Sequence, residues 1–168
     1  MYDGHSIGGK ALSGSWAVAR PMAAPSTFSE NVEMYVKSIF LLAKDGERRA
    51  KTGDISKDLA VSPSSVTEML DKLQKAGFVR HKKYQGATLT RKGDAYARRI
   101  LRKHCVLERF MVTTLGYPQG KFHDEACRLE HVISDDTERR LRKLVGQPKS
   151  CPDCYDGDKH YCGLLFPG

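Results

Sequence analysis

Between positions 30 and 145, apolar residues recur mostly at helical spacing and alternate only in one short stretch. Val32, Tyr35, Val36, Ile39, Phe40 and Ala43 form one helical stripe. Thr27 and Glu30 precede it at capping-box spacing, and Lys44-Asp45-Gly46 marks its predicted end. A short helix over about 51–59 follows, then Val61-Ser62-Pro63, then a helix over 64–76 with Val66, Met69, Leu70 and Leu73 on one face. Ser62 is a good N-cap, Pro63 suits a first helical turn, and Gly77 stands at the stop position. Two helices joined by a tight turn make a helix-turn-helix. Phe78-Val79-Arg80 and Ala87-Thr88-Leu89-Thr90 read as short strands linked through a turn containing Gly86. A basic hairpin after a helix-turn-helix is a winged helix.

Helical spacing then returns. Residues 92–115 predict a long helix with Ala97, Ile100, Leu101, Leu107, Phe110, Met111 and Leu115 apolar, stopped by Gly116-Tyr117-Pro118. Residues 123–133 predict another. Ser134 caps a last helix over 135–145 that closes at Gly146, with acids leading and Arg139, Arg140, Arg142 and Lys143 following, as the helix dipole favours. The expected fold is mainly α: an N-terminal winged helix-turn-helix over 27–91, followed by an all-helical domain over 92–147. Residues 1–26 are rich in Gly, Ser, Ala and Pro and predict a disordered extension. Its faint likeness to a signal peptide fails because Ser13, Gly14 and Ser15 interrupt the apolar segment. Residues 148–168 predict an irregular, cysteine-containing tail.

Composition narrows the classes. Lys and Arg number 28 against 20 Asp and Glu, a net +8. The first 26 residues carry net +1 and the last 18 net −2, so residues 27–150 hold +9. The basic character therefore belongs to the folded part and favours an anionic partner, nucleic acid before membrane. Ile39-Phe40-Leu41-Leu42-Ala43 is the longest strongly apolar run, far too short to cross a bilayer. Five cysteines in 168 residues are too few for a disulfide scaffold and suit a reducing cytosol.

Three groups of residues carry candidate chemistry. His123, Cys127, Glu130 and His131 are spaced i, i+4, i+7 and i+8, so one helix face presents two imidazoles, a thiol and a carboxylate. His104 and Glu108 form an i, i+4 pair that by itself reads as a solvated contact. Cys127, Glu130 and His131 together favour a metal, because a buried thiol, acid and imidazole need a cation to share their space. Cys105 reads as a packed thiol. The second group is a reading head. Ser62, Ser64, Ser65 and Thr67 crowd the start of the second helix of the helix-turn-helix, where hydroxyls can meet phosphates and base edges. Glu68 could accept from a cytosine amino group, Lys72 lies further along, and Arg80, Lys82 and Lys83 arm the wing. Each alone reads as a cap or a solvated charge; together, in a basic domain, they point to duplex DNA. The third group is Cys151, Cys154, His160 and Cys162. Their spacing is shorter than that of usual zinc ribbons, so zinc, a reducible disulfide and incidental thiols all stay open.

From Ser29 to Val145 the chain resembles the diphtheria toxin repressor family of metal-dependent transcriptional repressors. The resemblance rests on Val32-Glu33-Met34-Tyr35-Val36, Val61-Ser62-Pro63-Ser64-Ser65-Val66-Thr67 and Leu89-Thr90-Arg91-Lys92-Gly93. It continues through Arg102-Lys103-His104-Cys105-Val106-Leu107-Glu108-Arg109, His123-Asp124-Glu125-Ala126-Cys127-Arg128-Leu129-Glu130-His131-Val132 and Ser134-Asp135-Asp136-Thr137-Glu138-Arg139-Arg140-Leu141. It implies that the helical domain is a dimerisation and metal-binding domain with two metal sites per subunit. The primary site would be Met34, Cys127, Glu130 and His131, and the ancillary site His104, Glu108 and His123. In the manganese-sensing branch, hard acids stand where this chain has Met34 and Lys37. Thioether and thiolate are softer, which biases the site toward Fe²⁺ over Mn²⁺, with Co²⁺, Ni²⁺ and Zn²⁺ also bindable.

Iron-sensing members usually add an SH3-like third domain that completes the ancillary site. The 22 residues after Gly146 are too few for it, so water, an anion or the cysteine-rich tail is expected instead. The implied protein is a cytoplasmic homodimer, assembled through the helices after Arg91. It would place two recognition helices about 34 Å apart on an imperfectly palindromic duplex operator. No membrane or organic cofactor is expected. Two rivals are a metal-dependent hydrolase, for which no general base or lid is marked, and a winged-helix module indifferent to metal.

Overall fold

A computed structural model of the chain describes residues 29–43, 48–118, 121–146 and 165–166. The elements run α1 (Glu30–Ala43), α2 (Thr52–Asp58), α3 (Pro63–Lys75), β1 (Val79–Lys82), β2 (Gly86–Leu89), α4 (Arg91–Thr113), α5 (His123–Leu129) and α6 (Asp135–Val145). The mainly α winged helix-turn-helix with a helical second domain is the fold the periodicity predicts. Thr27, the extension before it and residues 147–164 lie outside the described residues. At the observed start of α1, the backbone N–H groups of Val32 and Glu33 donate to Ser29 O.

The caps explain the boundaries. Ser62 Oγ accepts from Ser65 N–H at 3.1 Å, with Pro63 at the first helical position. After α3, Gly77 adopts φ +78° while Phe78 N–H reaches back to Leu73 O and Gly77 N–H to Gln74 O, a Schellman stop. The turn between α2 and α3 repeats this geometry with Ala60 at φ +53°, Val61 N–H on Ser56 O and Ala60 N–H on Lys57 O. A Cβ in the left-handed region costs about 1–2 kcal/mol, so this turn carries strain that its α3 counterpart avoids.

The wing strands are shifted from expectation. They pair antiparallel as Val79↔Leu89, Arg80↔Thr88, His81↔Ala87 and Lys82↔Gly86. The turn therefore lies beyond Lys82, with Tyr84 at φ +65° and Gln85 N–H on Lys82 O at 2.9 Å. Ala50 adds a third rung by exchanging two backbone hydrogen bonds with Ala87. At Gly86, φ is +87° and a Cβ would lie 2.4 Å from Ala50 O, so no other residue fits where this rung forms.

Two apolar cores share α4. The larger joins Val36, Ile39 and Phe40 of α1 to Ile55, Val66, Leu70, Leu73, Phe78, Val79, Ala97, Leu101 and Val106, and also takes in Leu165 and Phe166. The smaller gathers Leu107, Met111, Phe122 and Ala126. Over its 23 residues α4 rises roughly 34 Å, and it carries His104 and Glu108, both about 1% exposed, at the junction of the cores. α5 ends at Leu129, short of the expected 133, because the chain turns there to enter α6. Glu130 N–H still bonds Ala126 O, and Ser134 Oγ caps α6 through Thr137 N–H.

Candidate metal centre and nucleic-acid interface

Three helices, α1, α4 and α5, converge on one buried carboxylate. Glu130, at the end of α5, is wholly buried. Its Oε2 lies 2.5 Å from His104 Nδ1 of α4. Lys37 of α1 places its ammonium 2.8 and 3.0 Å from the two Glu130 oxygens and 3.7 Å from Cys127 Sγ. The other edge of His104 meets Glu108 Oε1 at 2.9 Å, and His123 Nδ1 meets the same oxygen at 2.8 Å. His131 Nδ1 bonds Glu33 Oε2 of α1 at 2.6 Å, and the second Glu33 oxygen accepts from Tyr96 OH at 2.6 Å.

Apart from Met34, the two expected ligand groups are thus one network, with the His104 ring as the bridge between Glu130 and Glu108. One ligand atom each from His104, His123 and Cys127 lie within 4.8 Å of one another. Met34 lines the neighbouring groove between α1 and α2, with Lys37, Ser38, Leu41, Asp58 and Leu59. The α1 side chains that meet the cluster are Glu33 and Lys37, which sequence reasoning left out of the candidate set. Their signal is an i, i+4 acid–base pair bordering the apolar stripe of Val36 and Phe40; Glu33 and Lys37 are buried, at 5% and 3% exposure.

The electrostatics are those of a cation site filled by protons and an ammonium. Burial opposes the charged form of His104, but hydrogen bonds to Cys127, Glu108 and Glu130 prevail and push its pKa up to about 10. Hydrogen bonds to Cys127 and Glu108 raise His123 to about 9. Burial pushes the Cys127 thiol up, yet the two imidazoles and the Lys37 charge bring it down to about 5. Glu130 and Glu108 are held below the usual carboxylate range: burial opposes ionisation, and the neighbouring imidazoles, with Lys37 beside Glu130, outweigh it.

The donor set fits a divalent transition metal. It combines imidazole, thiolate and carboxylate. Glu108 Oε2 and His131 Nε2 are also buried without a hydrogen-bond partner, and buried polar atoms normally find one.

The reading head is built oppositely. Ser62, Ser64, Ser65 and Thr67 are all exposed at the start of α3. Ser62 Oγ is 2.8 Å from both the Ser64 and Ser65 hydroxyls, and the Thr67 hydroxyl donates to Pro63 O. Glu68 pairs with Lys72 at 2.6 Å, both largely solvated. Arg80 and Lys82 point to solvent from β1, with Lys83 and Tyr84 at the wing tip and Tyr84 94% exposed. Gln74 Oε1 accepts from His81 N–H at 2.7 Å and ties the wing to α3. Cys151, Cys154, His160 and Cys162 lie outside the described residues.

Residues 27–87 match the family model of the iron dependent repressor N-terminal DNA binding domain, and residues 90–156 match its metal binding and dimerisation domain. The chain belongs to the diphtheria toxin repressor family. Diphtheria toxin repressor family members are DNA-binding transcriptional repressors, not enzymes, which removes the hydrolase reading. Similar proteins include an uncharacterised helix-turn-helix transcriptional regulator of Methanocaldococcus jannaschii, 40% identical over 68% of this chain and 91% of that protein. The iron-dependent repressor IdeR of Mycobacterium leprae is 35% identical over 73% of this chain and 53% of its own length. Among solved structures, the manganese regulator SloR superposes with a TM-score of 0.64 at 35% identity, covering 74% of this chain and 58% of SloR. The chain therefore spans little more than half of IdeR and SloR. Diphtheria toxin repressor family membership makes it a metal-dependent transcriptional repressor. No helix among the described residues is long and apolar enough to cross a membrane.

Proposed function

We propose that this repressor is activated by Fe²⁺, held at a primary site of Met34, Cys127, Glu130 and His131 and an ancillary site of His104, Glu108 and His123. It would bind imperfectly palindromic operators as a cytoplasmic homodimer. The observation that carries the reading is the burial of Glu130 where α1, α4 and α5 meet. Whatever cation Glu130 holds sets how α1, and the reading head built on it, sits against the helical domain. Met34 supports its assignment by lying one helical turn before Lys37, in the same groove. The soft donors of Cys127 and Met34 favour Fe²⁺ over Mn²⁺.

A bound divalent ion would supply one compact multivalent charge in place of several protons and an ammonium. Glu130 and Cys127 would give it oxygen and sulfur from the α5 end. His131 would offer its Nε2, which makes no hydrogen bond and lies 3.3 Å from Glu130 Oε1, while Glu33 holds its Nδ1, so that α1 also orients the imidazole. His104 must give up its proton, and Glu108 can then use the oxygen that lacks a partner. With α1 anchored, the exposed hydroxyls at the start of α3 and the cations of the wing hold one spacing in the dimer instead of several. Ser62, Ser64, Ser65 and Thr67 would then meet phosphates and base edges. Arg80, Lys82 and Lys83 would reach the flanking backbone, and Glu68 and Lys72 would lie along the groove.

A manganese- or zinc-responsive regulator is the alternative, the manganese form supported by the similarity to SloR. Anaerobic gel shifts on a candidate operator, with Fe²⁺, Mn²⁺ or chelator, separate the readings. Fe²⁺ should give the tighter complex at matched free metal. Stronger activation by Mn²⁺ favours the alternative, and binding unaffected by chelator defeats both.

A further inference from the structure

We infer that Lys37 is an internal cation that occupies the primary half-site in the metal-free protein, so that metal binds only by displacing it. This rests on the metal-site reading given above. Lys37 is 3% exposed, on a helix otherwise buried through Val36, Ile39 and Phe40. Its ammonium has three N–H donors, and both oxygens of Glu130 and the sulfur of Cys127 lie within hydrogen-bonding reach of it. These are the donor atoms a metal would need. An ammonium at these distances and a divalent ion on the same carboxylate and thiolate cannot share the space, since like charges a few ångströms apart in a buried site repel strongly.

Neutralisation points the same way. Glu130 has no solvent contact, and a buried charge needs a paired partner. Its Oε2 is shared between Lys37 and His104, while Oε1 meets Lys37 and lies 3.3 Å from His131 Nε2. Among these partners of Glu130, Lys37 is the one contributed by α1, so with the Glu33–His131 hydrogen bond it links the first helix to the α5 end when no metal does. Its four-carbon stem lets the head withdraw without moving the helix backbone. The neighbouring groove, lined by Met34, Ser38, Leu41, Asp58 and Leu59, offers a carboxylate at Asp58. Lys37 would thus raise the metal concentration at which the protein responds while stabilising the metal-free fold.

The test is a Co²⁺ titration read through the thiolate-to-cobalt charge-transfer band of the full-length chain, under reducing conditions. Loss of the band in Cys127→Ser ties it to this site. Lys37→Gln removes the charge and should tighten Co²⁺ binding at least about tenfold, equivalent to about 1.4 kcal/mol. The same variant should lower the thermal midpoint of the metal-free protein, and Lys37→Arg, which keeps the charge, should stay near the parent in both readouts. If metal-free Lys37→Gln is too unstable to titrate, loaded protein is stripped with a graded chelator, and more chelator should be needed than for the parent. Unchanged or weaker Co²⁺ binding in Lys37→Gln overturns the inference, as does Lys37→Arg matching Lys37→Gln. The parent reading fails separately, if Glu130→Gln leaves the Co²⁺ titration as it is in the unsubstituted chain.

Discussion

The reading head and the ligand cluster are both rich in polar side chains, but they handle them in opposite ways. At the head, Ser64, Thr67, Glu68 and Lys72 face water, and their mutual contacts are weak competitors with solvent. In the cluster, Glu33, Lys37, His104, Glu108 and Glu130 are buried and satisfy one another with protons and an ammonium. An exposed polar surface waits for a partner at little cost. A buried one must carry its own counter-charges until a partner replaces them, and that makes its state sensitive to metal and to acid.

The sharpest way to break this contrast is to delete one carboxylate from each region. Glu130→Ala strands the Lys37 ammonium and the charged His104, and breaking a buried pair costs about 3–5 kcal/mol. Glu68→Ala, solvated and paired only with Lys72, should shift stability within about 0.5 kcal/mol. Chemical unfolding of the metal-free proteins measures both, and similar losses would erase the distinction. Next in size is metal removal. Chelation should weaken operator binding about 100-fold, close to 2.7 kcal/mol of coupling, and DNA must tighten metal binding by the same factor. Paired DNA and metal titrations check the reciprocity.

Acid sharpens the contrast further. His104 and His123, raised to about 10 and about 9, contribute stability that is full below 6.5 and is lost as pH climbs through those values. Cys127, lowered to about 5, contributes stability that is present above 9 and is lost as pH falls toward 5. From pH 5 to 6.5 only the thiol changes, so stability rises. Above 6.5 two imidazoles outweigh one thiol, so it falls. The metal-free protein should therefore be most stable near pH 6.5, whereas metal-loaded protein should gain protection upward from there, because protons no longer compete for the imidazoles. Thermal scans from pH 5 to 9 with and without metal read the crossover.

Two smaller effects belong to the head. Ser62→Ala removes the α3 cap seen at 3.1 Å and should cost about 1 kcal/mol, with metal affinity unchanged. Ala60→Gly should relieve the positive φ in the helix-turn-helix turn and stabilise by up to about 1 kcal/mol, because the strain removed, about 1–2 kcal/mol, is partly offset by the extra backbone freedom of glycine in the unfolded chain. Thermal unfolding measures both.

Local signals were enough for the helix-turn-helix. Ser62, Pro63 and Gly77 each mark a boundary through chemistry confined to a few neighbouring residues, and the structure keeps α3 within a residue of expectation. The wing register slipped because Tyr84 takes the left-handed turn conformation, which is unfavourable for its type. The end of α5 was misjudged because the turn into α6 comes from packing against α4, and helical spacing alone carries no trace of it.

From the linear order of residues come the winged fold, the basic folded domain and the imidazole, thiol and carboxylate that share the α5 end. Those features depend on contacts within a turn or two of the chain. Which cation lies against Glu130 was decided only when α1 folded onto α4 and α5, bringing Lys37 and Glu33 across more than ninety residues. A charged side chain on an apolar stripe has no meaning until burial removes its water, and only the assembled core determines how completely that happens.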